Sequence, residues 1–82
     1  MPIREEVLDT LSKKAVELFG VDPAGLSLDT RFEEDLHVKS VNIVQFCATL
    51  EDVFDVEMPF MEIKKKKTFG EVADYIAQMF GE

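Results

Sequence analysis

Ser40 is the residue of this chain whose type and place most directly suggest covalent chemistry. It follows a long irregular stretch and precedes Val41, Val44, Cys47, Ala48, Leu50, Val53 and Phe54, a broad apolar stripe at helical spacing. It therefore reads as the N-cap of a helix running to about Asp55. An anion at such a helix start would meet unpaired backbone N–H groups and the positive end of the helix dipole, worth about 0.3–1 kcal/mol where exposed. The plainer reading is that Ser40 only caps the helix. Cys47 falls on the apolar stripe, where a thiol packs rather than reacts. His37 stands without the partners that catalysis or a metal site needs, which leaves a loop role or a regulatory one. Nothing else assembles an enzyme: there is no glycine-rich phosphate loop, no histidine pair at metal spacing and no Ser/His/Asp set on an evident scaffold. The acidic loop also lacks the D-x-D-x-D-G order and terminal glutamate of a calcium site.

The elements that position Ser40 follow from periodicity. Ile3, Val7, Leu8, Leu11, Ala15, Leu18 and Phe19 recur at helical spacing, with Pro2 suited to the first turn and Gly20 to the stop, so a helix is predicted over about 3–19. Between Gly20 and Lys39 the period breaks, but Val21, Leu26, Leu28, Phe32 and Leu36 remain as apolar anchors. Such a connection is far longer than the usual roughly 2–8 residues between helices, and it reads as a functional or anchored loop. Thr30 and Glu33 have capping-box spacing within it, compatible with one short helical turn. Phe60, Met61 and Ile63 after Pro59 suggest a brief third helix. Thr68 and Glu71 form a T-x-x-E box ahead of Phe69, Val72, Ala73, Ile76, Met79 and Phe80, which predicts a last helix ending near Gly81. The expected fold is all-α: a small four-helix bundle with a long loop between helices one and two and a short third helix.

Composition narrows the function classes. The 82 residues, 46% hydrophobic and 32% charged, suit one folded domain over 1–82 with a modest core and no deep cleft. Seventeen acidic against nine basic residues leave a net charge of −8, which opposes nucleic acid and anionic lipid and favours basic partner surfaces. A single cysteine excludes an internal disulfide and a multi-cysteine metal site. The first residues lack a signal-peptide layout, and no apolar run approaches the roughly 18 residues of a membrane span. A cytoplasmic monomer without membrane insertion is expected.

The segment Asp35-Leu36-His37-Val38-Lys39-Ser40-Val41 is similar to the D-L-G-x-D-S-L signature of the acyl carrier proteins, with Asp35, Leu36 and Ser40 matching. Phe32-Glu33-Glu34-Asp35-Leu36, the stretch Leu50 to Pro59 and Ala73-Asp74-Tyr75-Ile76 extend the likeness over essentially the whole chain. The resemblance implies a four-helix carrier fold of acyl-carrier-protein type. It further implies that Ser40 receives 4′-phosphopantetheine covalently from coenzyme A, through a separate phosphopantetheinyl transferase. The chain then carries acyl thioesters for fatty-acid, polyketide or specialised lipid synthesis and is itself no enzyme, its partners being enzymes such as ketosynthases and acyltransferases. Two alternatives stand beside this: an aminoacyl or peptidyl carrier, and an arm-free helical interaction module.

By the same resemblance, Cys47, Leu50, Phe54, Met58, Ile63 and Tyr75 border an acyl cavity, although each would serve equally as core. Asp35, Leu36 and Val41 flank the attachment site. Lys39, Asn42, Gln45, Glu51 and Asp52 fall on the partner-docking helix, where Lys39, Asn42 and Gln45 replace residues that are commonly acidic in the family. A specialised set of partners is the expectation that follows. His37 replaces a glycine, which bears on the backbone shape of the loop. The run Lys64 to Lys67 is either a solvated face or a contact for the arm's phosphate or an acidic partner. Lys66 falls at an aliphatic cavity position, so either its stem packs inward or the third helix is shifted.

Overall fold

A computed structural model describes residues 2–81. The described residues form four α-helices: α1 (Ile3–Phe19), α2 (Ser40–Phe54), α3 (Phe60–Lys64) and α4 (Phe69–Met79). The expected all-α bundle, its long first loop and its short third helix are all present. Helix α1 packs chiefly against α4 and then α2, while α2 packs against α3. None of the four helices is long and apolar enough to cross a membrane.

Local chemistry explains the boundaries. Helix α1 ends where Gly20 adopts φ 65° and its N–H reaches Val16 O, the left-handed stop that glycine adopts without a Cβ penalty. Helix α4 starts where the Thr68 side chain accepts from Glu71 N at 3.1 Å, half of the predicted box. Helix α2 starts one residue differently from expectation. Lys39 is its N-cap and Ser40 its first helical residue. A lysine side chain has no acceptor to cap with. The cap is supplied in reverse, by Asn42 Oδ1 accepting from Lys39 N at 2.9 Å.

The inward face of α2 also differs from the predicted stripe. Ile43, Phe46, Cys47 and Leu50 are buried, whereas Val41, Val44 and Val53 are 62%, 52% and 55% exposed. Phe46 sits among Phe19, Phe32 and Phe69, with ring centroids 6.5, 5.5 and 6.4 Å away. These rings fasten the end of α1, the long loop and the start of α4 to one another.

The loop over 20–39 is held by both side chains and backbone. Phe32 and Leu36 are buried, and Leu26, Leu28 and Val38 pack against the core. Its backbone is laced to the α3–α4 junction: Phe32 N donates to Lys67 O at 3.0 Å, Phe69 N to Thr30 O at 3.0 Å and Gly70 N to Leu28 O at 2.7 Å. Gly70 is required by this approach, because a Cβ there would lie 2.9 Å from Leu28 O. A 3₁₀ turn at Pro23–Gly25 is capped by Asp22.

The expected helical turn near Thr30 forms, but with another cap. Thr30 is buried and its Oγ1 accepts from Ser27 N at 2.8 Å, not from Glu33. Asp35 N reaches Arg31 O and His37 N reaches Glu33 O, and the free N–H at the start of the turn, that of Arg31, is taken by Asp35 Oδ2 at 2.8 Å.

Candidate functional site

The lacing of the loop to the α3–α4 junction brings three stretches together: residues 31–34 with Val38, the start of α2 at Ser40, and Lys64 to Lys67. They enclose an open cleft of about 580 Å³ with Ser40 in its wall. Ser40 is exposed, and its hydroxyl makes no hydrogen bond to a described residue. Asn42 N and Ile43 N both turn back to Lys39 O, while the N–H groups of Ser40 and Val41 find no acceptor among the described residues. An anion on the Ser40 oxygen would therefore be adjacent to two unspent donors at the positive end of a 15-residue helix. The residues present fit a phosphodiester at this position.

Asp35 serves the site at one remove. Its carboxyl is held below the usual aspartate range, first by the Arg31 N–H it accepts and then by the Arg31 guanidinium. Arg31 also pairs with Glu34. The carboxylate thus closes the turn that leads to Ser40 without touching Ser40. Leu36, next to it, is buried and anchors the same turn.

His37 explains how the loop tolerates a side chain where the family usually has glycine. It sits at φ 55°, the left-handed region that costs an ordinary L-residue about 1–2 kcal/mol. The backbone shape that glycine would give is kept at the expense of strain. Since glycine returns about 0.5–1 kcal/mol of that gain as unfolded-chain entropy, His37→Gly is expected to stabilise the fold by about 0.5–1 kcal/mol. Thermal unfolding should then rise by a few degrees. An unchanged or lower midpoint would show that the imidazole makes a compensating contribution.

The six residues predicted to border an acyl cavity are brought together in the core cluster. Cys47, Leu50, Met58 and Ile63 are buried, and Phe54 and Tyr75 are half-buried at the edge of the same cluster. None of the six lines the cleft beside Ser40. The Cys47 thiol is pushed above its ordinary pKa by burial and then by Glu51, which keeps it protonated and unreactive. The cleft is walled instead by Phe32, Val38 and Ile43 among charged side chains. Ile43 lay outside the predicted stripe because α2 is apolar on both its inner and outer faces.

Of the predicted docking residues, Lys39, Glu51 and Asp52 are exposed and Asn42 and Gln45 half-buried. Asn42 Nδ2 donates to Gln45 Oε1 at 3.1 Å, so this pair organises the helix start as well as its surface. Glu51 accepts from Met58 N at 2.9 Å and so also holds the α2–α3 connection. Lys66 is half-buried, its ammonium 5.2 Å from the centre of the Tyr75 ring. Helix α3 lies where the sequence places it.

Comparison with known proteins agrees with the geometry. Residues 9–76 match the family described as the phosphopantetheine attachment site. An acyl carrier protein of Rubrobacter xylanophilus is 32% identical over 75 residues, covering 92% of this chain and 93% of that protein. Those of Renibacterium salmoninarum and Lactobacillus acidophilus are 34% and 35% identical, over 94% and 88% of this chain and 95% and 90% of their own lengths. With a helical bundle, a helix-start serine open to an anion and this extent of likeness, the chain belongs to the acyl carrier protein family, whose members hold acyl groups on a covalently attached 4′-phosphopantetheine.

Proposed function

We propose that Ser40 is the point at which this carrier takes its arm, and that the chain presents acyl thioesters to separate enzymes without catalysing their reactions. The observation that carries the reading is the exposed Ser40 hydroxyl beside two unspent N–H donors at the start of α2. When bound, the arm supplies the thiol on which acyl groups are held as thioesters. The protein's own residues supply the rest. Arg31, Asp35 and His37 fix the loop that leads to Ser40, and the start of α2 stabilises the negative charge of the phosphodiester.

The partners in this reading are a phosphopantetheinyl transferase and acyl-processing enzymes of the ketosynthase and acyltransferase kinds. To reach Ser40 they must meet the outer face of α2, where Val41 and Val44 are exposed between Lys39 and Asp52. An apolar patch rimmed by charge suits a transient protein interface. A free buried cysteine and the absence of any disulfide among the described residues are compatible with work in the cytoplasm. The arm-free alternative rests on the departures of His37 and Lys39 from the family signature, and at His37 the left-handed backbone keeps the shape that glycine would give.

Incubation with coenzyme A and a broad transferase tests the reading. A phosphopantetheine mass increment, mapped to the peptide that contains Ser40, is the expected result. No increment with any of several transferases would leave an arm-free helical module.

A further inference from the structure

The chain as a whole is strongly acidic, yet six of its nine basic side chains line the cleft beside Ser40. These are Arg31, Lys39 and the four of Lys64 to Lys67, facing only Glu33, Glu34 and Glu71. Two of the six are committed, Arg31 to Glu34 and Asp35 and Lys65 to Glu62 at 3.8 Å. Lys64 and Lys66 lie over the rings of Phe60 and Tyr75, contacts that leave their charge unneutralised. Lys39 and Lys67 make no ion pair with a described residue. The local charge is thus opposite in sign to that of the molecule.

A phosphodiester on Ser40 does not account for this concentration. It carries one negative charge, and the unspent N–H groups of Ser40 and Val41 are adjacent to its point of attachment. The cleft has room for more, since about 580 Å³ lies within the range of small-molecule sites. Its apolar wall of Phe32, Val38 and Ile43 adjoins the cations. Apolar surface leading to uncompensated ammonium groups matches a short acyl chain that ends in an anion. A neutral acyl chain would leave those charges unused.

Resting on attachment at Ser40, we propose that the cleft is a cargo subsite selective for acyl groups with a carboxylate at the far end. The methylenes lie along Phe32, Val38 and Ile43, and the carboxylate sits among Lys64, Lys66 and Lys67. The recognition is electrostatic and solvent-exposed, so each pairing contributes modestly and salt weakens it.

The test loads the carrier from coenzyme A with an adipyl group labelled with ¹³C at its terminal carboxyl, and follows the titration of that carboxyl by NMR. A carboxyl titrates near the pI of this chain, about 4.5, where the net charge is close to zero, so the lysine-substituted carrier is the reference. In the lysine cleft the midpoint should lie about half a pH unit below that of Lys64→Gln/Lys66→Gln/Lys67→Gln, and approach it in 0.5 M salt. Retained helical circular dichroism would show that this variant is folded. A midpoint that is the same in the parent and in the substituted carrier overturns the proposal. It is equally overturned if only the ³¹P resonance of the arm responds to the lysine substitutions, since the cations would then serve the phosphodiester. Failure of attachment itself registers earlier and separately, as no mass increment at loading.

Discussion

Ser40→Ala is expected to abolish phosphopantetheine addition completely while leaving folding stability within about 0.5 kcal/mol of the parent protein. The two halves of this result have different physical origins. Modification needs the hydroxyl oxygen as nucleophile, and alanine has none. Stability is spared because Ser40 is the first residue inside α2, not its cap. A serine at the N-cap would lose about 1 kcal/mol on conversion to alanine, but here the hydroxyl makes no hydrogen bond to a described residue. The start of α2 is tied down by Asn42 Oδ1 on Lys39 N instead. Intact mass after incubation with coenzyme A and a transferase reads the first half, and denaturant unfolding the second. A mass increment that survives in the variant would move the attachment point elsewhere. A loss near 1 kcal/mol would show that the hydroxyl caps the helix after all.

The same offset of one residue shows where sequence reading succeeds and where it stops. Helix α1 was legible to the residue because its apolar positions repeat cleanly and Gly20 ends them. Helix α4 was legible because Thr68 and Glu71 mark its start, although it stops at Met79 and leaves Phe80 outside and half exposed. Helix α2 was legible as an element but not as a face. Its outward Val41, Val44 and Val53 are as apolar as its inward Ile43, Phe46 and Leu50, so no period distinguishes core from surface. The surplus on the outside is itself informative, because an exposed apolar stripe costs solubility unless partners use it.

The cleft was the least legible feature. Ser40 and the lysine run were each visible as local patterns, but they are 24 or more positions apart in the chain. What joins them is the set of backbone bonds from Leu28, Thr30 and Phe32 to Gly70, Phe69 and Lys67. Those bonds are made by groups common to every residue and leave almost no side-chain signature. Gly70 is the one trace, a small residue where Leu28 O approaches closely, and a single glycine near a helix start is too common a feature to announce such a contact.

Phe46→Ala is expected to cost about 3–5 kcal/mol, the usual range for removing a buried aromatic ring. Phe46 is 1% exposed, and its neighbours Phe19, Phe32 and Phe69 come from three separate parts of the chain. They cannot all close on the void, because Phe32 and Phe69 are fixed by the loop-to-junction hydrogen bonds on their own backbones. Against a total stability of about 5–15 kcal/mol for a domain, such a loss should lower the thermal midpoint by roughly 15–30 °C. Phe46→Leu keeps much of the volume and should lose less than half as much. The same ring supports the functional cleft, since Phe32 forms part of its wall and Phe69 opens α4 directly after the lysine-bearing segment. The alanine variant should therefore take up the arm poorly at temperatures where the parent is fully modified, and regain uptake on cooling. An alanine variant within about 1 kcal/mol of the parent would mean that the loop and the α3–α4 junction are held by their backbone bonds alone, and that the ring cluster is incidental to the site.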